Sequence, residues 1–254
     1  MTTFVKTDLL PMVPCKVLST RRLDPSLVDQ AKKSGVELTQ QDFISITPII
    51  SNELAQEIKP WIEKNDTTYA IFTSINGVEA VKYYLEQWGD TNTPNWKVFC
   101  ISGKTKEAVA TMLPGAPIMA TAEYGATLAQ YILQHSEVKE VLFFCGNKRR
   151  EELPSLLREA GITVHEIVVY QTEETPVVIQ EDVDGVLFFS PSAVNSFFST
   201  NELKKDTVCF AIGTTTTDAL AQHTTNKIIT AATTSQASML EAVQHYFQRI
   251  NCNE

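Results

Sequence analysis

The sequence lacks most of the features that mark a common catalytic or metal-binding site. Its five cysteines include no Cys-x-x-Cys pair, so no zinc site or disulfide framework is expected. Its four histidines are scattered, and none neighbours a strand-end serine, which disfavours a metal site and a serine hydrolase. No apolar run reaches the roughly 18 residues of a membrane span. We therefore expect a cytoplasmic protein with no metal and no membrane association.

Nucleotide-binding motifs are absent or incomplete. No Gly-x-Gly-x-x-Gly fingerprint occurs. The segment Gly103-Lys104-Thr105 resembles the end of a phosphate-binding loop, but the glycine expected five positions earlier is Val98. Acidic residues outnumber basic ones by 30 to 21, and the net charge of −9 disfavours a nucleic-acid partner.

What the sequence does contain is an internal repeat. Ser190–Val194 follows an apolar run in the way that Ser74–Val78 does, and Val208–Thr215 resembles Val98–Thr105. Four such elements recur in the same order. A repeat of roughly 115 residues is long enough to bury its own core, so two domains are expected.

Short apolar runs alternate with helical patterns along the chain. The predicted strands are 16–19, 44–50, 70–73, 97–101, 141–145, 167–170, 186–189 and 208–212. Their apolar residues are continuous rather than alternating, which is typical of parallel strands covered on both faces. Predicted helices over 26–34, 78–88 and 151–160 each end at a glycine, namely Gly35, Gly89 and Gly161.

Small polar residues follow several of these strands. Ligands of open α/β sheets collect at the carboxyl ends of strands, where helix N-termini present free N–H groups. Any single loop of this kind is explained by helix capping alone, with Pro191 suited to the first turn after a Ser190 cap. Two matched pairs of loops favour a shared face that binds anions.

An ordered set of motifs resembles the uroporphyrinogen-III synthase family over about residues 16–247. The motifs are Val17–Arg21, Phe72–Val78, Gly103 with Thr105, Gly146 with Arg149 and Arg150, Val169–Thr172, Phe189–Val194 and Ala211–Thr216. The resemblance implies an α/β protein of two flavodoxin-like domains with parallel sheets, joined by a two-stranded linker. Domain 1 would comprise 1–45 plus 173–254 and domain 2 would comprise 49–168, with linker strands near 44–48 and 167–172.

The resemblance also implies a reaction. The family contains cofactor-free lyases that close hydroxymethylbilane, a linear tetrapyrrole with eight carboxylates, to uroporphyrinogen III. Water is lost and ring D is inverted, whereas the bilane alone in water closes to the uninverted isomer. Such an enzyme must fold and hold its substrate more than attack it, which suits a chain with many polar donors and no evident nucleophile.

By resemblance, Tyr170 matches the family's cleft tyrosine and is the candidate proton donor. The expected substrate-binding residues are Arg21, Ser74, Asn76, Thr105, Gly146, Lys148, Arg149, Ser190, Ser192, Thr215 and Thr216. The family commonly places the loop threonine three positions after the glycine. Thr216 follows that spacing and Thr105 does not. The loops at Ser74 and Ser190 are expected to face each other across one cleft.

Two other functions fit the same residues. One is a two-domain protein that binds or senses a small molecule without catalysis, and the other is a nucleotide-sugar transferase. For the enzyme, the expected partners are its tetrapyrrole substrate and hydroxymethylbilane synthase as the donor of that substrate, with the chain acting as a monomer.

Overall fold

The computed structural model describes residues 14–87 and 94–251, which form eleven strands and nine helices within those ranges. The strands are β1 (Cys15–Ser19), β2 (Val36–Gln40), β3 (Ile44–Pro48), β4 (Thr68–Phe72), β5 (Trp96–Ile101), β6 (Ile118–Ala122), β7 (Glu140–Gly146), β8 (Thr163–Glu174), β9 (Gly185–Phe188), β10 (Val208–Ala211) and β11 (Ile228–Thr230). The helices are α1 (Pro25–Lys33), α2 (Asn52–Glu63), α3 (Ile75–Gln87), α4 (Lys104–Met112), α5 (Gly125–Leu133), α6 (Glu152–Glu159), α7 (Pro191–Phe198), α8 (Thr214–His223) and α9 (Gln236–Asn251).

The strands form two sheets, ordered β11-β10-β9-β1-β2 and β3-β8-β7-β4-β5-β6. Neighbouring strands pair in parallel from β11 to β2 and from β8 to β6. In chain order the first sheet reads 2-1-3-4-5, the order of flavodoxin-like folds. The α/β class with parallel sheets is therefore confirmed.

The chain divides into two compact units. Unit 1 contains the described residues up to Ser45 together with those from Glu173 onwards, and unit 2 contains Ile46–Thr172. The strands β3 and β8 carry the chain between the units. Their backbone bonds, Thr175 N–H to Phe43 O and Ile49 N–H to Val169 O, run in opposite sequence order, so this pair is antiparallel.

The sequence repeat corresponds to the order of strands in the sheets. In both units the strand that precedes the first motif of the repeat, β9 or β4, lies between two others. One is the next strand of its own repeat copy, β10 or β5, and the other is the first strand of the other copy, β1 or β7. Consecutive apolar residues point to opposite faces of the sheet. Val186 and Phe188 pack in one core cluster and Leu187 in another, which explains why the central strands read as continuous apolar runs.

Three strands escaped the sequence prediction, namely β2, β6 and β11. All three lie at sheet edges. β2 buries only its first residue and β11 buries none of its three completely, so neither needs a continuous apolar run. Edge strands of this kind give a weak sequence signal because one of their faces meets solvent or a loop.

Helix ends agree with the sequence where they are described. Gly35 and Gly161 follow α1 and α6 with φ of 78° and 84°, a left-handed conformation that favours glycine. Ser190 caps α7 by accepting a hydrogen bond from Ala193 N–H at 3.1 Å, and Pro191 begins the helix. Gly89 lies outside the described residues. Among the helices that are described, none is long and apolar enough to cross a membrane.

Candidate functional site

Each sheet has one topological switch point, where successive connections leave two neighbouring strands in opposite directions. In unit 1 it lies between β1 and β9, and in unit 2 between β7 and β4. A crevice forms outside the carboxyl ends of strands at such a point and is the usual ligand site of open α/β sheets. Arg21 and Ser190 follow the two strands in unit 1, and Gly146 and Ser74 end or follow the two in unit 2.

In unit 2 the switch point is occupied by the side chain of Tyr170. Gly146 pairs with Tyr170 across β7 and β8, and a Cβ on Gly146 would lie 2.3 Å from Cε2 and 2.4 Å from Cζ of the tyrosine ring. The ring therefore needs the space that only glycine leaves. Gly146 thus makes room for Tyr170, and its binding of substrate stays a prediction.

The Ser74 side chain lies near the Tyr170 hydroxyl and lowers the pKa of the phenol. Ser74 Oγ also accepts bonds from the backbone N–H and from Nδ2 of Asn76, each at 3.2 Å. A serine hydroxyl has two acceptor lone pairs and one proton. Because Asn76 donates to the Ser74 oxygen twice, the serine proton is available for the phenol oxygen of Tyr170.

The environment keeps Tyr170 protonated at neutral pH. Burial raises the pKa of the Tyr170 phenol above its ordinary value, and the hydrogen bonds from Ser74 and the Gly146 backbone offset part of that effect. A neutral phenol that is held by donors on its oxygen can give up its proton and have the resulting anion stabilised by the same donors.

The cations predicted after β7 differ in their surroundings. Arg149 Nε is paired with Glu166 of β8, and its Nη1 lies 2.6 Å from Glu151 Oε1. Two carboxylates of the chain thus pair with this guanidinium, and binding of substrate carboxylates by Arg149 stays a prediction. Lys148 is exposed at the same loop.

The predicted threonines lie at the starts of two helices. Thr105 is the second residue of α4 and is 6% exposed, and Thr216 is the third residue of α8 and is 1% exposed. Both side chains face the core, so the spacing that ranked Thr216 above Thr105 gives it no greater access to a ligand. Thr215 is half-buried beside Thr216.

In unit 1 the structure brings Arg21 to the Ser190 loop. The guanidinium carbon of Arg21 lies 5.7 Å from the ring centre of Phe189, the residue before Ser190. Arg21 is exposed, and Ser192 is half-buried in the first turn of α7. A cation, a serine and a helix N-terminus therefore meet at this switch point, a combination that suits a carboxylate.

Sequence reasoning missed one residue of the unit 2 site, Asn147. Its side chain bonds the backbone of Thr172 at both Oδ1 and Nδ2, at 2.8 and 3.3 Å. The only signal in the sequence is an asparagine directly after the glycine that ends a predicted strand. Among the described residues, no group of three or more His, Cys, Asp or Glu side chains could hold a metal ion.

A family model described as uroporphyrinogen-III synthase HemD matches residues 25–241. The match spans well over half of the chain and includes the unit 2 switch point and the Ser190 loop of unit 1. The chain belongs to the uroporphyrinogen-III synthase family.

Two solved structures share the fold of this uroporphyrinogen-III synthase family member. A selenomethionine-labelled mutant of the Thermus thermophilus uroporphyrinogen III synthase is 16% identical, with a TM-score of 0.66, and the match covers 94% of this chain and 100% of that one. The uroporphyrinogen-III synthetase of Helicobacter pylori is also 16% identical, with a TM-score of 0.63 and coverage of 91% and 99%. At such low identity these likenesses bear on the fold alone.

For this synthase, removal of the Ser190 side chain should separate a capping role from a binding role. Ser190→Ala and Ser51→Ala each delete a helix cap, since Ser51 accepts a bond from Leu54 N–H at 3.1 Å. Each should cost about 1 kcal/mol of local stability, which amide hydrogen exchange in α7 and α2 would measure. Only Ser190→Ala should also raise KM, by about fivefold for one lost hydrogen bond. Equal KM values for the two variants would show that Ser190 is only a cap.

Proposed function

We propose that this chain closes hydroxymethylbilane to uroporphyrinogen III with Tyr170 as its proton donor. The observation that carries this proposal is the Tyr170–Ser74–Asn76 arrangement at the unit 2 switch point. It places a half-buried phenol, with its pKa raised by burial, beside the Ser74 hydroxyl, in a member of a family whose tetrapyrrole substrate loses a hydroxyl group.

The first chemical step is loss of the terminal hydroxyl of the bilane. The C–O bond breaks as electrons from the pyrrole nitrogen form the azafulvene, and the departing oxygen takes the proton of Tyr170 to leave as water. Ser74 and the Gly146 backbone then stabilise the phenolate. Ring D attacks the azafulvene through its substituted carbon, and the spiro intermediate fragments and closes again. The proton that ring D loses in the last step restores the phenol.

Regiochemistry depends on how the substrate is held. Each unit offers donors for negatively charged side chains, namely the N-terminus of α3 and Lys148 in unit 2 and the N-terminus of α7 and Arg21 in unit 1. Local N–H donors and cations can bind an anion although the whole chain carries a net charge of −9. Ser192, Thr215 and Asn76 are half-buried at these loops and are the remaining candidate contacts.

We also propose that the chain acts as a cytoplasmic monomer that takes the bilane from hydroxymethylbilane synthase. The chemistry supports such a transfer, because the free bilane closes spontaneously to the uninverted isomer. A protein that only senses a small molecule would have no use for the phenol proton. Membership of this enzyme family does not favour such a sensor.

A coupled assay tests the proposal directly. Freshly made hydroxymethylbilane is supplied to the protein, and the isomer ratio of the oxidised products is determined against a protein-free control. We expect isomer III to dominate at a rate above the spontaneous one. Isomer I as the main product at the spontaneous rate would end the enzymatic interpretation.

A further inference from the structure

The backbone of β8 is fastened to the β7–α6 loop on both sides of Tyr170. Before Tyr170, Glu166 of β8 is paired with Arg149 of the loop. After Tyr170, Thr172 is bonded by the side chain of Asn147, and Tyr170 O itself accepts the Asn147 N–H at 3.2 Å. The tyrosine therefore lies within a segment whose two ends are fixed to the same loop.

The Asn147 side chain takes the place of a strand residue. In a regular parallel ladder, a residue that donates its N–H to Tyr170 O would accept the next bond, from Thr172 N–H, with its main-chain carbonyl. Here Thr172 N–H bonds Oδ1 of Asn147 at 2.8 Å, and Nδ2 donates to Thr172 O at 3.3 Å. The side-chain amide thus extends the ladder by one step after the main chain of β7 has turned away.

This extension lies where the chain leaves unit 2. Thr172 is the last residue of unit 2, and the residues that follow belong to unit 1. Without the Asn147 side chain, Thr172 at the end of β8 would lose both of these hydrogen bonds to the β7–α6 loop. A small shift of β8 at Thr172 would rotate the Tyr170 ring over Gly146 and move its hydroxyl away from Ser74.

We infer that Asn147 is a positioning residue, which fixes the end of β8 and so holds the Tyr170 phenol against Ser74 and Gly146. The inference rests on the proposed role of Tyr170 for its effect on the reaction, but the effect on the orientation of the phenol can be measured separately. Asn147 is exposed, so its substitution leaves the core intact.

The test compares Asn147→Ala and Asn147→Asp with Asn226→Ala. The aspartate keeps an oxygen where Oδ1 accepts the 2.8 Å bond, and the alanine removes both bonds. Asn226 is a matched control in unit 1, because its Nδ2 donates to the backbone oxygens of Lys204 and Thr207 at 2.6 and 2.8 Å. Asn226→Ala therefore removes similar side-chain bonds to the backbone, at a position far from Tyr170 in the sequence.

Two readouts are taken from the full-length protein. The first is the titration of Tyr170 followed by fluorine NMR of 3-fluorotyrosine-labelled protein, with the signal assigned by its loss in Tyr170→Phe. The second is kcat and KM for hydroxymethylbilane. In Asn147→Ala we expect the Tyr170 titration to move towards that of exposed tyrosines and kcat to fall about tenfold, with little change in KM. Asn147→Asp keeps the acceptor for Thr172 N–H but sets a second oxygen against Thr172 O, so it should restore only part of kcat. Asn226→Ala should change neither readout.

The possible outcomes distinguish the positioning role of Asn147 from the catalytic role of Tyr170. An unchanged Tyr170 titration in Asn147→Ala, or an equal change in Asn226→Ala, would overturn the inference. A shifted titration with unchanged kcat would support Asn147 as the residue that holds Tyr170 and would instead overturn the proposed catalytic role of that tyrosine.

Discussion

Gly146→Ala is expected to lower kcat by about 100-fold, the scale of a misplacement of about 1 Å. The new methyl group would lie 2.3 to 2.9 Å from three ring carbons of Tyr170, closer than any non-bonded contact allows. Gly146 is held opposite Tyr170 by the pairing of β7 with β8, so the ring must move away from Ser74. Overpacking of this kind also costs about 1–3 kcal/mol of stability.

A double-mutant cycle would show that the effect passes through the ring. In a Tyr170→Ala background the space beside Gly146 is empty, so adding Gly146→Ala should cause almost no further loss of activity. Gly125→Ala is a control in the same unit, because its methyl group would meet Leu153 at an ordinary 3.4 Å. Equal losses from Gly146→Ala in both backgrounds would mean that Gly146 acts on the substrate and not on Tyr170.

Much of the fold could be predicted because its central strands are buried on both faces. Val141–Cys145 and 186–189 read as continuous apolar runs for that reason, and the repeat placed their loops at corresponding strands. An edge strand such as β2 alternates buried and exposed residues and has no continuous apolar run, so it could not be distinguished from a loop. The extent of β8 was also underestimated, because residues such as Glu166 and Thr172 that interrupt its apolar pattern bond to the β7–α6 loop.

The candidate site was harder to predict, because residue types alone do not specify which side chains contact each other in the folded protein. Arg149 has the right charge for a substrate carboxylate, but β8 brings Glu166 to it. Gly146 has the composition of an anion-binding loop, but a tyrosine 24 positions later in the chain fills the space beside it. In both cases the deciding partner lies on a neighbouring strand, and the spacing within either motif carries no information about it.

Tyr170→Phe is expected to slow the reaction by roughly 10- to 100-fold while the product stays isomer III. General acid catalysis typically contributes about 10²–10⁴-fold, and the lower end applies because the bilane loses its hydroxyl without any enzyme. Phenylalanine keeps the ring against Gly146 and removes only the hydroxyl, so the shape that positions ring D is preserved. Rates and isomer ratios from the coupled assay would measure both effects.

The pH dependence gives an independent check on the same residue. Because burial raises the pKa of the Tyr170 phenol above the ordinary value of about 10, the acid form persists through the neutral and mildly alkaline range. Ionisation of this phenol should therefore cause no loss of kcat between about pH 7 and pH 9. At higher pH a loss of kcat should appear in the wild type and be absent from Tyr170→Phe, whose lower rate contains no contribution from the phenol.

If Tyr170→Phe keeps the full rate, positioning alone accounts for catalysis. If it instead yields isomer I, the hydroxyl holds ring D in place and is not only an acid.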